Sequence, residues 1–184
     1  MKYLAILAFA LLAGCATPRP VGPQEAFMDR LLALCGKTLD GRIASPAVPA
    51  DADFVGKKLQ IHVRDCSPSE FRIPFAVGDD RSRTWVISRT PTGLTLKHDH
   101  RHDDGTEDKL SQYGGETVQP GTAQRQEFPA DQFSKDLFVC ENRAVSVTNV
   151  WALEAAPNFI AYELRRPGRF FRVEFTPAGA NPAR

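Results

Sequence analysis

Three of the four histidines of the chain lie close together, in the segment His98-Asp99-His100-Arg101-His102. Residues two apart share one face of a β-strand, so we expect the three imidazoles on the same face. Neutral imidazole is the commonest protein ligand of Zn²⁺ and Cu²⁺. The spacing therefore indicates either a metal site or a polar row beside a pocket.

A metal site here would use His98 and His100, with His102, Glu107 or His62 as a further ligand. Neighbouring side chains on one strand face stand about 6.5–7 Å apart at Cα, so three in a row hardly all bind one ion. Zinc or copper is the cofactor that this hypothesis implies. The structural alternative is a solvated hairpin whose histidines are satisfied by nearby carboxylates.

Apolar side chains precede the histidines on their predicted face, at Leu94 and Leu96. If the turn before Leu94 has an even length, the preceding strand places Trp85 opposite His98. By the same register Arg83 lies opposite His100. This pairing predicts that the histidine face points inward or lines the mouth of a cavity.

The dipeptide Asp104-Gly105 is a strong signal for a two-residue hairpin turn. Such a turn places Leu96 opposite Tyr113, and His98 opposite Ser111. An apolar floor, aromatic walls and a polar mouth together are typical of small-ligand sites. The predicted ligand-binding residues are Trp85, Arg83, His98, His100 and Tyr113.

Short apolar–polar alternations separated by turn residues dominate the chain after its first quarter. They predict strands at 57–65, 70–77, 82–90, 93–102, 106–113, 121–128, 143–154, 158–166 and 169–176. Helical spacing predicts one helix at 25–35 and another, inserted helix at 129–139. The pattern indicates a mainly β, antiparallel fold, either a small β-barrel or a sandwich.

The barrel outline resembles that of the lipocalins. The Gly-x-Trp of the first lipocalin strand is missing, because Trp85 and Trp151 follow Thr84 and Val150. The resemblance therefore covers the outline of the fold and implies no lipocalin ligand.

The amino terminus has the pattern of a secretory signal peptide. Lys2 precedes an apolar run from Tyr3 to Ala13, which is too short to span a bilayer, since about 20 apolar residues are needed. We therefore expect residues 1–14 to be removed. The domain organisation expected after cleavage is a lipidated Cys15 with a Pro-rich tether at 15–24, a single mainly β domain at 25–177 and a flexible tail at 178–184.

The segment Leu12-Ala13-Gly14-Cys15 resembles the lipobox of bacterial lipoproteins. The resemblance implies that Cys15 is acylated and anchors the chain to a membrane, whereas an ordinary signal peptide is the alternative. In the lipoprotein sorting rule, Ala16 in place of Asp implies the periplasmic face of the outer membrane of a Gram-negative bacterium.

Three further cysteines remain, Cys35, Cys66 and Cys140. An exported protein occupies an oxidising compartment, where one disulfide is the default expectation. We favour the pair Cys35–Cys66, because each ends a predicted element near the start of the fold. Cys140 is then expected to be a small buried residue.

Composition and charge exclude several classes of function. The chain carries 23 basic and 22 acidic residues, which gives no basic excess of the kind that nucleic-acid binders show. No nucleophile elbow, phosphate-binding glycine loop or zinc-protease motif occurs, so the chain leans away from an enzyme. Four arginines crowd the last predicted hairpin. Contact with lipid headgroups or anionic glycolipid is one explanation, and turn charges that protect a sheet edge are the simpler one. They are Arg165, Arg166, Arg169 and Arg172.

Several blocks of the chain resemble a family of uncharacterised bacterial envelope lipoproteins, which lends neither an activity nor catalytic residues. They include Gly78 to Val86, Leu96 to Gly105, Tyr113-Gly114-Gly115, Asn149-Val150-Trp151 and Phe171 to Phe175. The leading hypothesis is a lipid-anchored β-barrel that binds a small amphipathic ligand. The alternatives are a His-based metal-binding protein or metal-dependent enzyme, and a structural protein with other envelope proteins as partners.

Overall fold

A computed structural model describes residues 21–46 and 48–179 of the chain. The predicted signal peptide, Cys15, most of the tether and residues 180–184 of the tail lie outside these residues. The strands are β1 (Thr38–Ile43), β2 (Leu59–His62), β3 (Asp65–Cys66), β4 (Glu70–Val77), β5 (Asp80–Arg89), β6 (Leu94–His100), β7 (Tyr113–Glu116), β8 (Arg125–Pro129), β9 (Val150–Ala156), β10 (Phe159–Arg166) and β11 (Arg169–Thr176). The α-helices are α1 (Pro23–Leu32) and α2 (Gln132–Cys140).

The strands form one antiparallel sheet that curls into a nearly closed barrel, which confirms the predicted fold class. The strand order is β7-β6-β5-β4-β2-β1-β11-β10-β9-β8, with β3 paired beside β4. The two ends of this order meet at a single bridge between Gly115 and Ala130. A Cβ on Gly115 would lie 2.0 Å from the carbonyl oxygen of Pro129, so only glycine permits this approach.

Alternating burial along the strands defines the interior of the barrel. In β4, Phe71, Ile73 and Phe75 point inward, and the residues between them are more exposed. The same period of two places Tyr162 of β10 and Phe171 of β11 in the interior. The core is therefore the inside of the barrel.

The helix α1 closes one end of the barrel, which we call the closed end. Its residues Phe27, Met28 and Leu31 are buried in the core. A disulfide joins Cys35, just beyond α1, to Cys66 of β3, as the sequence predicted. No described helix is long and apolar enough to cross a membrane.

The opposite end, which we call the open end, is framed by loops 48–58 and 101–112, by the turn after β10 and by α2 with the segment that follows it. Asp131 caps the amino terminus of α2 by accepting a hydrogen bond from the Ser134 backbone nitrogen. The Ser134 hydroxyl also bonds both the nitrogen and the oxygen of Gly114, at 2.7 and 2.9 Å. These contacts fix α2 against β7 beside the open end.

The outer face of β8 to β11 carries an alternating set of arginines and glutamates, which we call the arginine–glutamate ladder. Its members are Arg125, Glu127, Glu154, Glu163, Arg165 and Arg172. Hydrogen bonds from Arg172 and Arg125 hold the pKa of Glu154 below its ordinary value. Arg165 and Arg172 are thus structural groups. The prediction that they protect a sheet edge is wrong, because β10 and β11 are each paired on both sides.

Several predicted elements differ from the structure. The strand β1 was missed, because Gly41 and the Pro/Ala-rich segment after it obscure the alternation. The predicted strand 106–113 is wrong, since loop 101–112 is irregular and β7 begins only at Tyr113. Most of this loop bonds locally: the Asp104 and Asp108 carboxylates accept hydrogen bonds from the backbone nitrogens of Thr106 and Leu110. Cys140 is exposed rather than buried, because it lies in the last turn of α2 and faces away from the core.

Candidate ligand-binding site

A cavity of about 470 Å³ occupies the open end of the barrel. Aromatic side chains from opposite walls form its floor. On one wall is Trp85 of β5, and Tyr162 of β10 stacks on it across the interior at 4.5 Å between ring centroids. Trp151 of β9 and Tyr113 of β7 extend the aromatic surface, with centroids 5.9 Å apart.

The predicted register between β5 and β6 is confirmed. Trp85 pairs with His98, and Arg83 pairs with His100. The register on the other side of β6 is shifted by two residues from the prediction, since His98 pairs with Tyr113 instead of Ser111. A shift of two keeps side chains on the same face, so all five predicted ligand-binding residues line the cavity.

His98 lies at the base of the cavity and is 3% exposed. Its Nδ1 is 3.2 Å from the Tyr113 carbonyl oxygen, and its Nε2 is 3.0 Å from the Tyr162 hydroxyl. A carbonyl only accepts, so Nδ1 carries the proton and Nε2 accepts from the tyrosine hydroxyl. Burial, with the nearby His100 acting in the same direction, lowers the pKa of His98 to about 3, so this imidazole is neutral.

His100 lies one step nearer the mouth on the same face of β6. Its Nε2 is 3.2 Å from the Tyr113 hydroxyl. Burial lowers the pKa of His100, and the charge of Arg83 acts in the same direction. Arg83 itself forms an ion pair with Asp80 and lies over the ring of Phe54, at 5.8 Å from its centroid.

The three further residues predicted as metal ligands, His102, Glu107 and His62, lie outside the cavity, and His62 is the last residue of β2. His102 is 58% exposed and lies 3.8 Å from Asp108. Glu107 is exposed and accepts a hydrogen bond from Gln112. Within residues 21–46 and 48–179, no group of three or more His, Cys, Asp and Glu side chains could hold a metal ion.

The opposite wall supplies cavity residues that the sequence analysis did not select. Arg166 and Arg169 face each other in the register of β10 and β11, and both point to the cavity side. Arg169 donates from Nε to the buried carboxylate of Asp51 at 3.1 Å. Arg166 donates from Nη1 to Ser146 and Asn149, at 3.2 and 3.3 Å.

A signal for these residues was present in β10. Tyr162, Leu164 and Arg166 alternate with outward residues, so the period of two places Arg166 on the inner face. Its partners Ser146 and Asn149 lie in the irregular segment after α2, where no periodicity predicts which way a side chain points. That segment was instead predicted as part of a strand at 143–154.

The site thus combines aromatic and apolar walls with charged groups at its mouth, which is the usual make-up of a pocket for a small organic molecule. No protein-family model, curated protein or solved structure matches the chain.

Proposed function

We propose that the protein is a lipid-anchored protein of the bacterial cell envelope that binds a small amphipathic ligand in the open end of its barrel. The observation that carries this proposal is the cavity of about 470 Å³ with an aromatic floor and a charged mouth. Pockets for small organic ligands measure about 300–1,000 Å³ and are largely apolar with a few polar groups.

The aromatic floor suits a flat or elongated apolar group. Trp85, Tyr113, Trp151 and Tyr162 all contribute to the cavity surface. The imidazole and the hydroxyls at the base of the cavity are already paired, since His98 bonds Tyr162 and the Tyr113 carbonyl, and the Tyr113 hydroxyl bonds His100. An apolar group can therefore cover these side chains without leaving them unpaired.

The position of α1 fits a membrane anchor at Cys15. The helix begins at Pro23, a few residues after that cysteine, and it lies at the closed end. An anchor at Cys15 would thus connect to the barrel through the start of α1, at the end opposite the cavity mouth.

Metal binding has weaker support than ligand binding. Both ring nitrogens of His98 have protein partners, so a metal at His98 would have to displace Tyr162 or the Tyr113 carbonyl. The neutral imidazole of His98 therefore has no ring nitrogen available to a metal without the loss of a hydrogen bond.

The ligand-binding proposal is tested with N-phenyl-1-naphthylamine, a neutral aromatic probe whose fluorescence rises in apolar surroundings. The chain contains two tryptophans, Trp85 and Trp151, and both line the cavity. A bound probe should therefore quench their emission by energy transfer. Saturable binding with one site per chain is the expected result, and no saturable binding would contradict the proposal.

A variant that fills the cavity locates the binding. Leu110 is half-buried and lines the cavity, so Leu110→Trp should weaken probe binding. Binding is measured here by exciting the probe directly. The matched control is Leu32→Trp, because Leu32 is 44% exposed on α1. Equal binding by both variants would show that the probe does not bind at the open end.

The membrane anchor is tested separately by labelling cells with a radioactive or clickable palmitate. We expect label on the wild-type chain in the outer-membrane fraction and none on Cys15→Ser. Label that persists in Cys15→Ser would contradict the anchor and leave the ligand-binding proposal intact.

A further inference from the structure

We propose that the ligand carries an anionic group, such as a carboxylate, phosphate or sulfonate, and that Arg166 binds it. This inference rests on the proposed ligand-binding function. It comes from an imbalance of charge on one wall of the cavity, formed by β10, β11 and the segment after α2.

Of the two inward guanidinium groups on this wall, one is paired with a carboxylate among the described residues. Arg166 and Arg169 are a directly paired couple at the end of the β10–β11 hairpin. Asp51 accepts from Arg169, and its carboxylate is 1% exposed. Among the described residues, no carboxylate lies within ion-pair distance of Arg166.

The partners that Arg166 does have are neutral. Ser146 and Asn149 accept from the same nitrogen, Nη1, at 3.2 and 3.3 Å. Two neutral acceptors at these distances do not compensate a positive charge that is partly removed from water. Burial and the charge of Arg169 lower the pKa of Arg166, and the Asp51 carboxylate offsets them only in part, although a guanidinium stays protonated in proteins.

The arginine–glutamate ladder shows how arginine is paired where carboxylates lie close to it. Arg172, on the outer face of the same hairpin, contacts Glu154, Glu163 and Glu174. Arg166 lies inside the barrel mouth, and within residues 21–46 and 48–179 no carboxylate pairs with it. Its planar guanidinium has N–H donors besides the Nη1 that bonds Ser146 and Asn149, and such a fork is suited to a bidentate carboxylate or phosphate.

Other charges at the mouth do not neutralise this wall. Arg143 also lines the cavity and has no ion-pair partner among the described residues, so it adds to the positive charge. The lining carboxylates Asp53 and Asp108 form no ion pair with either Arg143 or Arg166. Asp108 lies by the opposite wall, where it contacts His102.

The position of Arg166 also fixes how a ligand would lie. Arg166, Leu164 and Tyr162 are successive inward residues of β10, about 6.5–7 Å apart at Cα. An anionic group at Arg166 therefore leaves the rest of the molecule along Leu164 toward the aromatic floor. The expected ligand is an amphipathic anion with its charge at the mouth and its apolar part inside.

The test uses two probes with the same aromatic body. 8-Anilino-1-naphthalenesulfonate carries a sulfonate, and N-phenyl-1-naphthylamine lacks it. Arg166→Gln should weaken binding of the sulfonate probe about tenfold and change binding of the neutral probe less than twofold. The matched control is Arg165→Gln, whose side chain lies next in sequence but on the outer face, and it should change neither affinity.

Two further measurements keep the test decisive if Arg166→Gln is poorly folded. Wild-type affinity for the sulfonate probe should fall as salt rises, whereas that for the neutral probe should not. Arg166→Lys should give an intermediate affinity, because it keeps the charge and loses the fork.

The outcomes separate the two proposals. If neither probe binds the wild-type protein saturably, the ligand-binding function fails and this inference fails with it. If both bind and Arg166→Gln weakens neither or weakens both equally, with no salt dependence, ligand binding stands and the anionic site is overturned.

Discussion

The two ends of the barrel are covered in different ways. At the closed end, α1 inserts Phe27 and Leu31, and the turn after it inserts Leu34; all three are at most 1% exposed. At the open end, loops and α2 surround a cavity of about 470 Å³ whose mouth is lined by charged and polar side chains. Apolar burial stabilises the fold at one end, and the other end keeps free volume and partly compensated charge. We therefore expect variants at the closed end to change stability and variants at the open end to change binding.

The largest effect should come from the closed end. Phe27→Ala removes a fully buried ring and should lower the free energy of unfolding by about 4 kcal/mol. Urea unfolding followed by circular dichroism measures this loss. The folded fraction should bind the neutral probe with unchanged affinity, and a weakened affinity would break the division between the two ends.

Loss of the disulfide should have the next largest effect. Cys35 and Cys66 are separated by 31 residues, so the chain-entropy relation gives about 3.5 kcal/mol for replacing both by alanine. Urea unfolding of the double variant checks the value. The control is Cys140→Ala, which should leave stability unchanged, because Cys140 is exposed and unpaired.

The open end should contribute to the stability of the fold in a pH-dependent way. His98 has a pKa of about 3 when folded and an ordinary value of 6.5, so the unfolded chain takes up the proton more readily. The stabilisation is complete above pH 6.5 and is lost as the pH falls toward 3. One such group changes stability by roughly 2 kcal/mol between pH 6.5 and 4.5.

Two substitutions assign this pH dependence. His98→Gln should remove most of the slope between pH 6.5 and 4.5, measured as urea unfolding at several pH values. His100 adds a smaller slope of the same sign, since burial also lowers its pKa. His102→Gln is the matched control, because His102 is exposed, and the slope should persist. A flat wild-type profile would contradict the buried neutral histidine.

The smallest effect is expected on the outer face. Arg165→Gln removes an exposed pair with Glu127 and should lower the free energy of unfolding by less than about 1 kcal/mol. Probe binding should not change, because Arg165 points away from the cavity. A clear loss of binding would show that the ladder also shapes the mouth.

The sequence predicted those features that depend on strand periodicity. The inward face of β6, with Leu94, Leu96 and His98, follows from residue spacing alone. The pairing of Trp85 with His98 follows once an even-length turn is assumed before Leu94. The fold class and the Cys35–Cys66 disulfide were also predicted, the first from local patterns and the second from the expectation of an exported protein.

The remaining features depend on contacts that no local pattern records. The partners of Arg166 come from an irregular segment after α2, and Asp51 reaches Arg169 from more than a hundred residues away. The pairing of Tyr113 with β6 differs by two residues from the prediction. The difference arises in loop 101–112, where carboxylate–backbone hydrogen bonds replace strand pairing. Arg166 and Arg172 have the same sequence surroundings, rich in arginine, and only their opposite faces on the hairpin give them different roles.

The most direct test is a ¹H–¹⁵N NMR titration of the protein with N-phenyl-1-naphthylamine. The account predicts shifts of the indole signals of Trp85 and Trp151 and of backbone amides around the open end. A second groove of about 430 Å³ lies at the closed end, between α1 and the β9–β10 turn, and includes Ala33 and Pro157. Shifts centred on that groove, or no shifts at all, would contradict the assignment of ligand binding to the open end.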